Sequence, residues 1–225
     1  MKHIAIAGLG VVGGGVAEIL LKNAALLEKN RVMNLTAITD PAAVAQLHFL
    51  DSLALLDAAE LAGKTVLDVG CGAGFPGVPL KIAEPTIRLT LLDSLAKRMN
   101  WLGEVLPALG VEAQIVTARA EEYVRSCREQ YDLATSRAVA RLNILAELCL
   151  PFVKPGGYFL AMKAAAAAEE LEEAKRGIAR LGGRVEKTET YDIDGAPRCV
   201  IVIRKERPTP PAYPRRYAKI KQSPL

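Results

Sequence analysis

From Lys64 to Arg204, the sequence alternates between short apolar runs and helical patterns with a regularity that few folds allow. The apolar runs predict seven strands, at Thr65–Val69, Ile87–Leu92, Ala113–Val116, Asp132–Thr135, Tyr158–Met162, Arg184–Thr190 and Arg198–Arg204. A helical pattern follows each of the first five strands, and strands joined in this way run parallel. Only the turn-rich residues 192–197 separate the last two strands, which predicts an antiparallel hairpin. We therefore expect an α/β fold with a doubly wound, mostly parallel sheet of seven strands and a terminal antiparallel hairpin.

A glycine-rich loop directly after the first strand is the clearest functional signal. In the segment VLDVGCGAGFPG, Gly70, Gly72 and Gly74 let the backbone approach a ligand that larger side chains would block. Asp93 ends the second strand, 23 residues after Gly70. In dinucleotide-type folds an acid at that place accepts hydrogen bonds from ribose hydroxyls. The combination predicts a nucleoside cofactor, and the alternative is a tight strand–helix turn without a ligand.

Two cofactors carry a nucleoside that this loop could hold. The GxGxG spacing and the terminal hairpin favour S-adenosylmethionine (AdoMet) over NAD. An added antiparallel strand at the end of the sheet is the arrangement of class I AdoMet-dependent methyltransferases, whose fold is Rossmann-like. The sequence therefore predicts this fold, with NAD as the second candidate.

Several longer segments resemble one methyltransferase family from about residue 26 to residue 225. These segments include HFLDSLALL (48–56), LDVGCGAGFPGVPLKIA (67–83), TSRAVARL (135–142), PGGYFLAMK (155–163) and the end YPRRYAKIKQSPL. They are similar to the bacterial 16S rRNA guanine-N7 methyltransferases. The resemblance implies methylation of N7 of a guanine in the decoding region of the small-subunit rRNA, with AdoMet as donor and the 30S subunit as partner. It also implies cofactor contacts from Gly70, Phe75, Ala120, Glu121 and Arg137, to which the strand-end argument adds Asp93.

The implied reaction asks for few chemical groups. Guanine N7 has a free lone pair and no proton to remove, so positioning supplies most of the acceleration. We therefore expect no catalytic acid or base and no metal. The spacing of the four cysteines offers no metal pair, and His3 and His48 are expected to be structural.

The charge of the chain is unevenly distributed. From Arg204 to Leu225 there are seven basic residues against one acid, although the whole chain has a formal net charge of only +4. A basic end of this kind indicates a polyanionic partner, and a solvated terminus is the alternative. Its prolines predict an extended segment whose Arg215, Arg216 and Lys219 contact RNA phosphates, away from the cofactor.

Composition places the chain among ordinary globular proteins. It has 225 residues, of which 51% are hydrophobic and 24% charged, enough for a sizeable core. We find neither an apolar run long enough to span a membrane nor a signal peptide, and therefore expect a cytoplasmic protein. Its oligomeric state is left open by the sequence.

The first residues depart from the rest. Residues 1–25 contain a GxGxxG motif (Gly8, Gly10 and Gly13) and resemble the N-terminus of homoserine dehydrogenases. An NAD(P)-dependent dehydrogenase-like protein is therefore one alternative, and a non-enzymatic rRNA-binding module is another. We expect an atypical βαβ-like or helical segment over residues 1–41, the methyltransferase domain over 42–205, and the basic, proline-rich tail over 206–225.

Overall fold

The computed structural model describes residues 40–164, 167–193 and 195–225. The GxGxxG motif and the βαβ-like unit expected near the N-terminus lie outside these residues, so both stay predictions. Within the described part of the chain, no helix is long and apolar enough to cross a membrane.

Seven strands and eight α-helices make up the described structure. The strands are β1 (Thr65–Val69), β2 (Arg88–Asp93), β3 (Gln114–Thr117), β4 (Tyr131–Arg137), β5 (Val153–Ala164), β6 (Gly183–Ile193) and β7 (Ala196–Lys205). The helices are α1 (Pro41–Val44), α2 (Asp51–Ala58), α3 (Gly77–Ala83), α4 (Ala96–Ala108), α5 (Ala120–Cys127), α6 (Leu142–Cys149), α7 (Ala167–Arg180) and α8 (Tyr217–Gln222). A π-helical segment, Ala45–Leu50, joins α1 to α2, and a 3-10 turn, Leu150–Phe152, precedes β5.

The strands form one sheet in the order β3-β2-β1-β4-β5-β7-β6. Neighbouring strands from β3 to β5 are parallel, whereas β7 lies antiparallel between β5 and β6. This is the predicted fold class: a mostly parallel sheet of seven strands with an antiparallel hairpin at its end. The order reverses between β1 and β4, which is where open α/β sheets leave a crevice for ligands.

Alternate residues of each strand belong to two separate cores, one on each face of the sheet. In β1, Val66 packs with α2, α3 and α4, while Leu67 and Val69 pack with α5, α6 and α7. This alternation follows from the period of two in a strand. Burial on both faces explains why the strands appear in the sequence as nearly continuous apolar runs.

The fifth strand begins earlier than the sequence suggests. Residues 151–157 were expected to interrupt the chain before Tyr158, because they contain two prolines and two glycines. The structure has β5 starting at Val153, with a register shift opposite Tyr131 and Leu133 of β4. The bulge accommodates the extra residues while the strand continues.

The expectation of an extended tail is wrong for residues 217–222, which form α8. The prolines at 208, 210, 211 and 214 all precede this segment, so none of them interrupts the helix. Ile220 is completely buried against the core formed with α5, α6 and α7. The segment after β7 therefore lies on the protein surface as part of the fold.

Candidate functional site

A cavity of about 530 Å³ opens at the carboxyl ends of β1, β2 and β4. Its volume is in the range of roughly 300–1,000 Å³ that is typical of small-molecule sites. Residues from several elements meet there, including all six predicted site residues: Gly70, Phe75, Asp93, Ala120, Glu121 and Arg137. The structure thus brings the predicted residues together, and their contacts with a cofactor stay a prediction.

The glycine-rich loop forms the floor of this cavity. Gly70, Gly72 and Gly74 have φ angles of +72°, +56° and +86°, which side chains rarely allow. A Cβ atom on Gly70 would lie 2.5 Å from Cγ2 of Val139, so no larger residue fits there. At Gly72 the added atom would meet only an Arg98 nitrogen, at 4.0 Å. The backbone at Gly72 therefore faces open space in the cavity, as close approach to a ligand requires.

Two aspartates hold this loop in place. The carboxylate of Asp68, at the end of β1, accepts a hydrogen bond of 2.8 Å from the Gly77 amide. Asp93, at the end of β2, accepts hydrogen bonds from the amides of Gly72 at 3.0 Å and Leu95 at 2.9 Å. Carboxylate oxygens have two lone pairs each, so Asp93 keeps acceptor capacity for ribose hydroxyls. The position of Asp93 fits its predicted role as an acceptor for ribose hydroxyls. Asp93 also has a structural role, because it holds the glycine-rich loop through the amides of Gly72 and Leu95.

Arg137 lines the cavity beside Phe75 and His48, in a network that sequence reasoning missed. Its guanidinium donates to the carboxylate of Asp51 at 3.0 Å and lies 3.0 Å from Nδ1 of His48. The same guanidinium lies over the Phe75 ring, 5.2 Å from the ring centre. Asp51 is 2% exposed and also accepts a hydrogen bond of 2.8 Å from the Tyr191 hydroxyl. The segment 48–56 of the family resemblance was the only signal of this network.

The network favours the neutral form of Tyr191. Burial, followed by the charge of Asp51, raises the pKa of Tyr191 well above its usual value. The hydroxyl therefore remains a donor to Asp51, and Asp51 fixes the guanidinium of Arg137. His48 is part of the cavity wall as well as of this network, which extends the structural role that the sequence predicted.

Ala120 and Glu121 begin α5, after β3, and both line the cavity. Ala120 also packs against the core formed with α5, α6 and α7. Apolar side chains that the sequence did not single out lie in the same wall. Leu95 and Val139 also line the cavity, and they are 52% and 42% exposed. Exposed apolar surface inside a cavity is suited to a flat, weakly polar ligand group such as a nucleobase.

A second cavity, of about 400 Å³, adjoins the first. The two share the segment 137–139, in which Ala138 has a φ of +55°, a strained angle for a residue with a side chain. Four basic residues and two acidic ones line the second cavity: Arg137, Arg141, Lys163, Arg198, Asp51 and Glu170. Such a lining suits an anionic ligand next to the first cavity.

No group of three or more histidine, cysteine, aspartate or glutamate residues in the described ranges could hold a metal ion. The cysteines in these ranges are buried, and burial raises the pKa of Cys127, Cys149 and Cys199. A raised pKa keeps a thiol protonated and weakly nucleophilic. The arrangement therefore supports binding and orientation of two ligands.

Solved structures with the same fold include several methyltransferases. TrmN from Thermus thermophilus matches with a TM-score of 0.56 and 22% identity over 68% of this chain and 48% of that one. A SAM dependent methyltransferase from Aquifex aeolicus matches with a TM-score of 0.55 and 19% identity over 73% of this chain and 93% of that one. Together with the glycine-rich loop at the sheet's point of reversal, this fold is that of the class I AdoMet-dependent methyltransferases.

Sequence comparison gives the family. The model of the family described as rRNA small subunit methyltransferase G matches residues 18–195, and the chain belongs to that family. The protein named ribosomal RNA small subunit methyltransferase G from Symbiobacterium thermophilum is 47% identical over 98% of this chain and 95% of its own length. The protein of the same name from Lachnoclostridium phytofermentans is 48% identical over 89% of this chain and 85% of its own.

The same comparisons bear on the N-terminus. The family match begins at residue 18, within the segment that resembles homoserine dehydrogenases, and the Symbiobacterium relative aligns with nearly the whole chain. The resemblance to the methyltransferase family is confirmed, whereas the resemblance to homoserine dehydrogenases finds no support.

Proposed function

We propose that this protein transfers the methyl group of AdoMet to N7 of a guanine in the decoding region of 16S rRNA, with the 30S subunit as its partner. The observation that carries the proposal is the pair of joined cavities, one floored by the glycine-rich loop and the other lined mainly by basic side chains. Family membership supports the same activity. The protein would meet this substrate in the cytoplasm, where ribosomal subunits are modified.

The first cavity would hold the cofactor. The residues fit AdoMet because the loop leaves open space above Gly72, Asp93 keeps acceptor capacity, and Arg137 provides a fixed cation for a carboxylate. AdoMet supplies a methyl group activated by a sulfonium. The side chains around it bind and orient, and Phe75 closes the loop end of the cavity.

The second cavity would receive the guanine nucleotide. Arginine side chains donate hydrogen bonds to the O6 edge of guanine and to phosphate oxygens. Lys163 is paired with Glu170 at 2.8 Å, and Arg141 with Glu173 at 2.7 Å, which leaves Arg198 as a cation of this wall without an ion pair among the described residues. Arg198 is therefore our preferred donor to the base or its phosphate.

The chemistry needs no proton transfer by the protein. Because N7 carries a lone pair and no hydrogen, the acceptor is ready for in-line attack when it is held against the methyl group. The segment 137–139 borders both cavities, so it sets the distance between the two reactants. Holding two reactants in line supplies a large part of the acceleration in such reactions.

The proposal is tested by incubating the protein and methyl-labelled AdoMet with 30S subunits from cells that lack this modification. We expect label in the 16S rRNA and none in 50S subunits. Calorimetry with AdoMet and NADH, run in parallel, should give saturable binding for AdoMet alone. Binding of NADH, or rRNA binding without any transfer, would favour the dehydrogenase-like or the non-enzymatic alternative and contradict the proposal.

A further inference from the structure

The segment that follows β7 is held on the protein at three places. The Thr209 amide donates a hydrogen bond of 2.7 Å to Glu129, and Thr209 is 4% exposed. Arg215 forms an ion pair with Glu147 of α6, with Nη2 and Oε2 2.6 Å apart. Ile220 of α8 is completely buried. The position of the residues between these anchors is therefore fixed by the fold.

The pair between Arg215 and Glu147 makes several hydrogen bonds. Glu147 is completely buried, and it accepts a hydrogen bond from the Arg215 backbone amide at 2.8 Å as well as bonds from the guanidinium. A bidentate pair with a buried carboxylate has a defined geometry, unlike an exposed pair. It places residue 217, where α8 begins, against α6.

Tyr217 lines the cofactor cavity. Its partly buried ring packs on the core of α5, α6 and α7, and it shares the cavity wall with Leu148 and Ala120. Arg137 and His48, two of the polar side chains that line the cavity, lie next to Phe75. Tyr217, Leu148 and Ala120 belong to one apolar cluster and give the cavity an apolar surface there, as a nucleobase prefers.

We propose that Tyr217 contacts the adenine of bound AdoMet and that the C-terminal segment, residues 206–225, is therefore part of the cofactor site. This inference rests on the proposed function, because it requires the first cavity to hold AdoMet. Arg215 acts as a positioning residue, since it touches Glu147 and Tyr213 but does not line the cavity. The segment thus contributes to cofactor binding, although the sequence predicted that it stays away from the cofactor.

The test is the dissociation constant for AdoMet, measured by calorimetry on the full chain. Loss of an aromatic contact costs roughly 1.4 kcal/mol, so Tyr217→Leu should raise the dissociation constant about tenfold while keeping apolar volume on the core. Tyr217→Phe, which keeps the ring, should stay within about twofold of wild type. Gln222→Ala, an exposed change on the same helix, is the matched control and should have no effect.

The same loss should appear with 5′-methylthioadenosine, which keeps the adenine and lacks the amino-acid part of AdoMet. If Tyr217→Leu retains the wild-type melting temperature and wild-type affinity for AdoMet, the inference is wrong while the proposed function stands. If wild-type protein binds no AdoMet, the proposed function itself fails, and this inference fails with it.

A double-mutant cycle tests the positioning role of Arg215. Arg215→Ala alone should also raise the dissociation constant for AdoMet, because Tyr217 loses its anchor. Added to Tyr217→Leu, it should bring little further loss, since both changes remove the same contact. Fully additive losses would contradict the positioning role.

Discussion

The backbone of the glycine-rich loop is the residue-scale feature on which the proposed cofactor binding depends. Gly72 has open space above it, and its amide donates to Asp93. A side chain at this position would occupy the volume that the ligand needs. Gly63 also has a positive φ, of +69°, so a side chain there would be strained as well, but Gly63 does not line the cavity. Substitutions at Gly63 and Gly72 therefore distinguish the effect of backbone strain from the effect of a side chain that blocks the cavity.

We expect Gly72→Val to weaken AdoMet binding at least about a hundredfold, roughly 2.7 kcal/mol, while the protein remains folded. Gly63→Val should cost comparable stability through its unfavourable φ and leave the affinity for AdoMet unchanged. Calorimetry and thermal unfolding of both variants make the comparison. Wild-type affinity in a folded Gly72→Val protein would show that the cofactor lies elsewhere.

At the scale of elements, a carboxylate joins three strands at the end of the sheet opposite the cavity. Asp132 of β4 accepts hydrogen bonds from the amide and hydroxyl of Thr65 in β1, at 2.8 and 2.7 Å, and pairs with Lys154 of β5 at 2.9 Å. Partial burial raises the pKa of Asp132, but the bonds from Thr65 and Lys154 outweigh it and lower the pKa to about 2. The ordinary value is 3.8.

This pKa predicts how stability depends on pH. Because the folded-state pKa lies below the unfolded value, the contribution of Asp132 is present above about pH 4 and is lost as pH falls towards 2. Asp132→Asn should therefore lower the free energy of unfolding by about 2 kcal/mol at pH 7, with a smaller difference near pH 2.5. Urea unfolding at pH 7 and at pH 2.5 measures this difference, and Asp57→Asn, a change at an exposed position, is the control. If Asp132→Asn lowers the free energy of unfolding equally at pH 7 and pH 2.5, the low pKa of Asp132 in the folded state is wrong.

The elements also separate what the sequence could predict from what it could not. The alternation of strands and helices arises from local patterns, and for this reason the sheet, the glycine-rich loop and Asp93 could be predicted from the residues themselves. The other predicted cofactor contacts were implied by the family resemblance: Gly70, Phe75, Ala120, Glu121 and Arg137. The pair of Arg215 with Glu147 joins residues 68 positions apart, and no local pattern signals it. The proline content of the tail favoured an extended segment, whereas burial of Ile220 and this ion pair decided its actual position.

At the scale of the whole molecule, the basic residues of the C-terminal segment fall into two groups, one that contacts the protein and one that faces solvent. Arg215 points inward to Glu147, while Arg216, Lys219 and Lys221 are exposed. The three exposed cations can meet RNA phosphates without disturbing the fold. This division of the basic residues replaces the uniform RNA contact that the sequence alone suggested.

The exposed cations predict a salt dependence of rRNA binding. Each phosphate contact contributes about 0.7–0.9 to the slope of log affinity against log salt concentration. Replacing Arg216, Lys219 and Lys221 with alanine should therefore reduce that slope by about 2 to 3. Arg88→Ala, an exposed change at the start of β2 and at the end of the sheet opposite the cavity, should leave it unaltered. An unaltered slope in the triple variant would place the RNA on another surface.

The most direct test of the central claim is nucleoside mass spectrometry of 16S rRNA after unmodified 30S subunits are incubated with the protein and AdoMet. We predict one additional 7-methylguanosine per 16S rRNA, located in the decoding region, with wild-type protein, and none with Gly72→Val. A methyl group on another base or another guanine atom, or no methylation by a protein that binds AdoMet, would contradict the account.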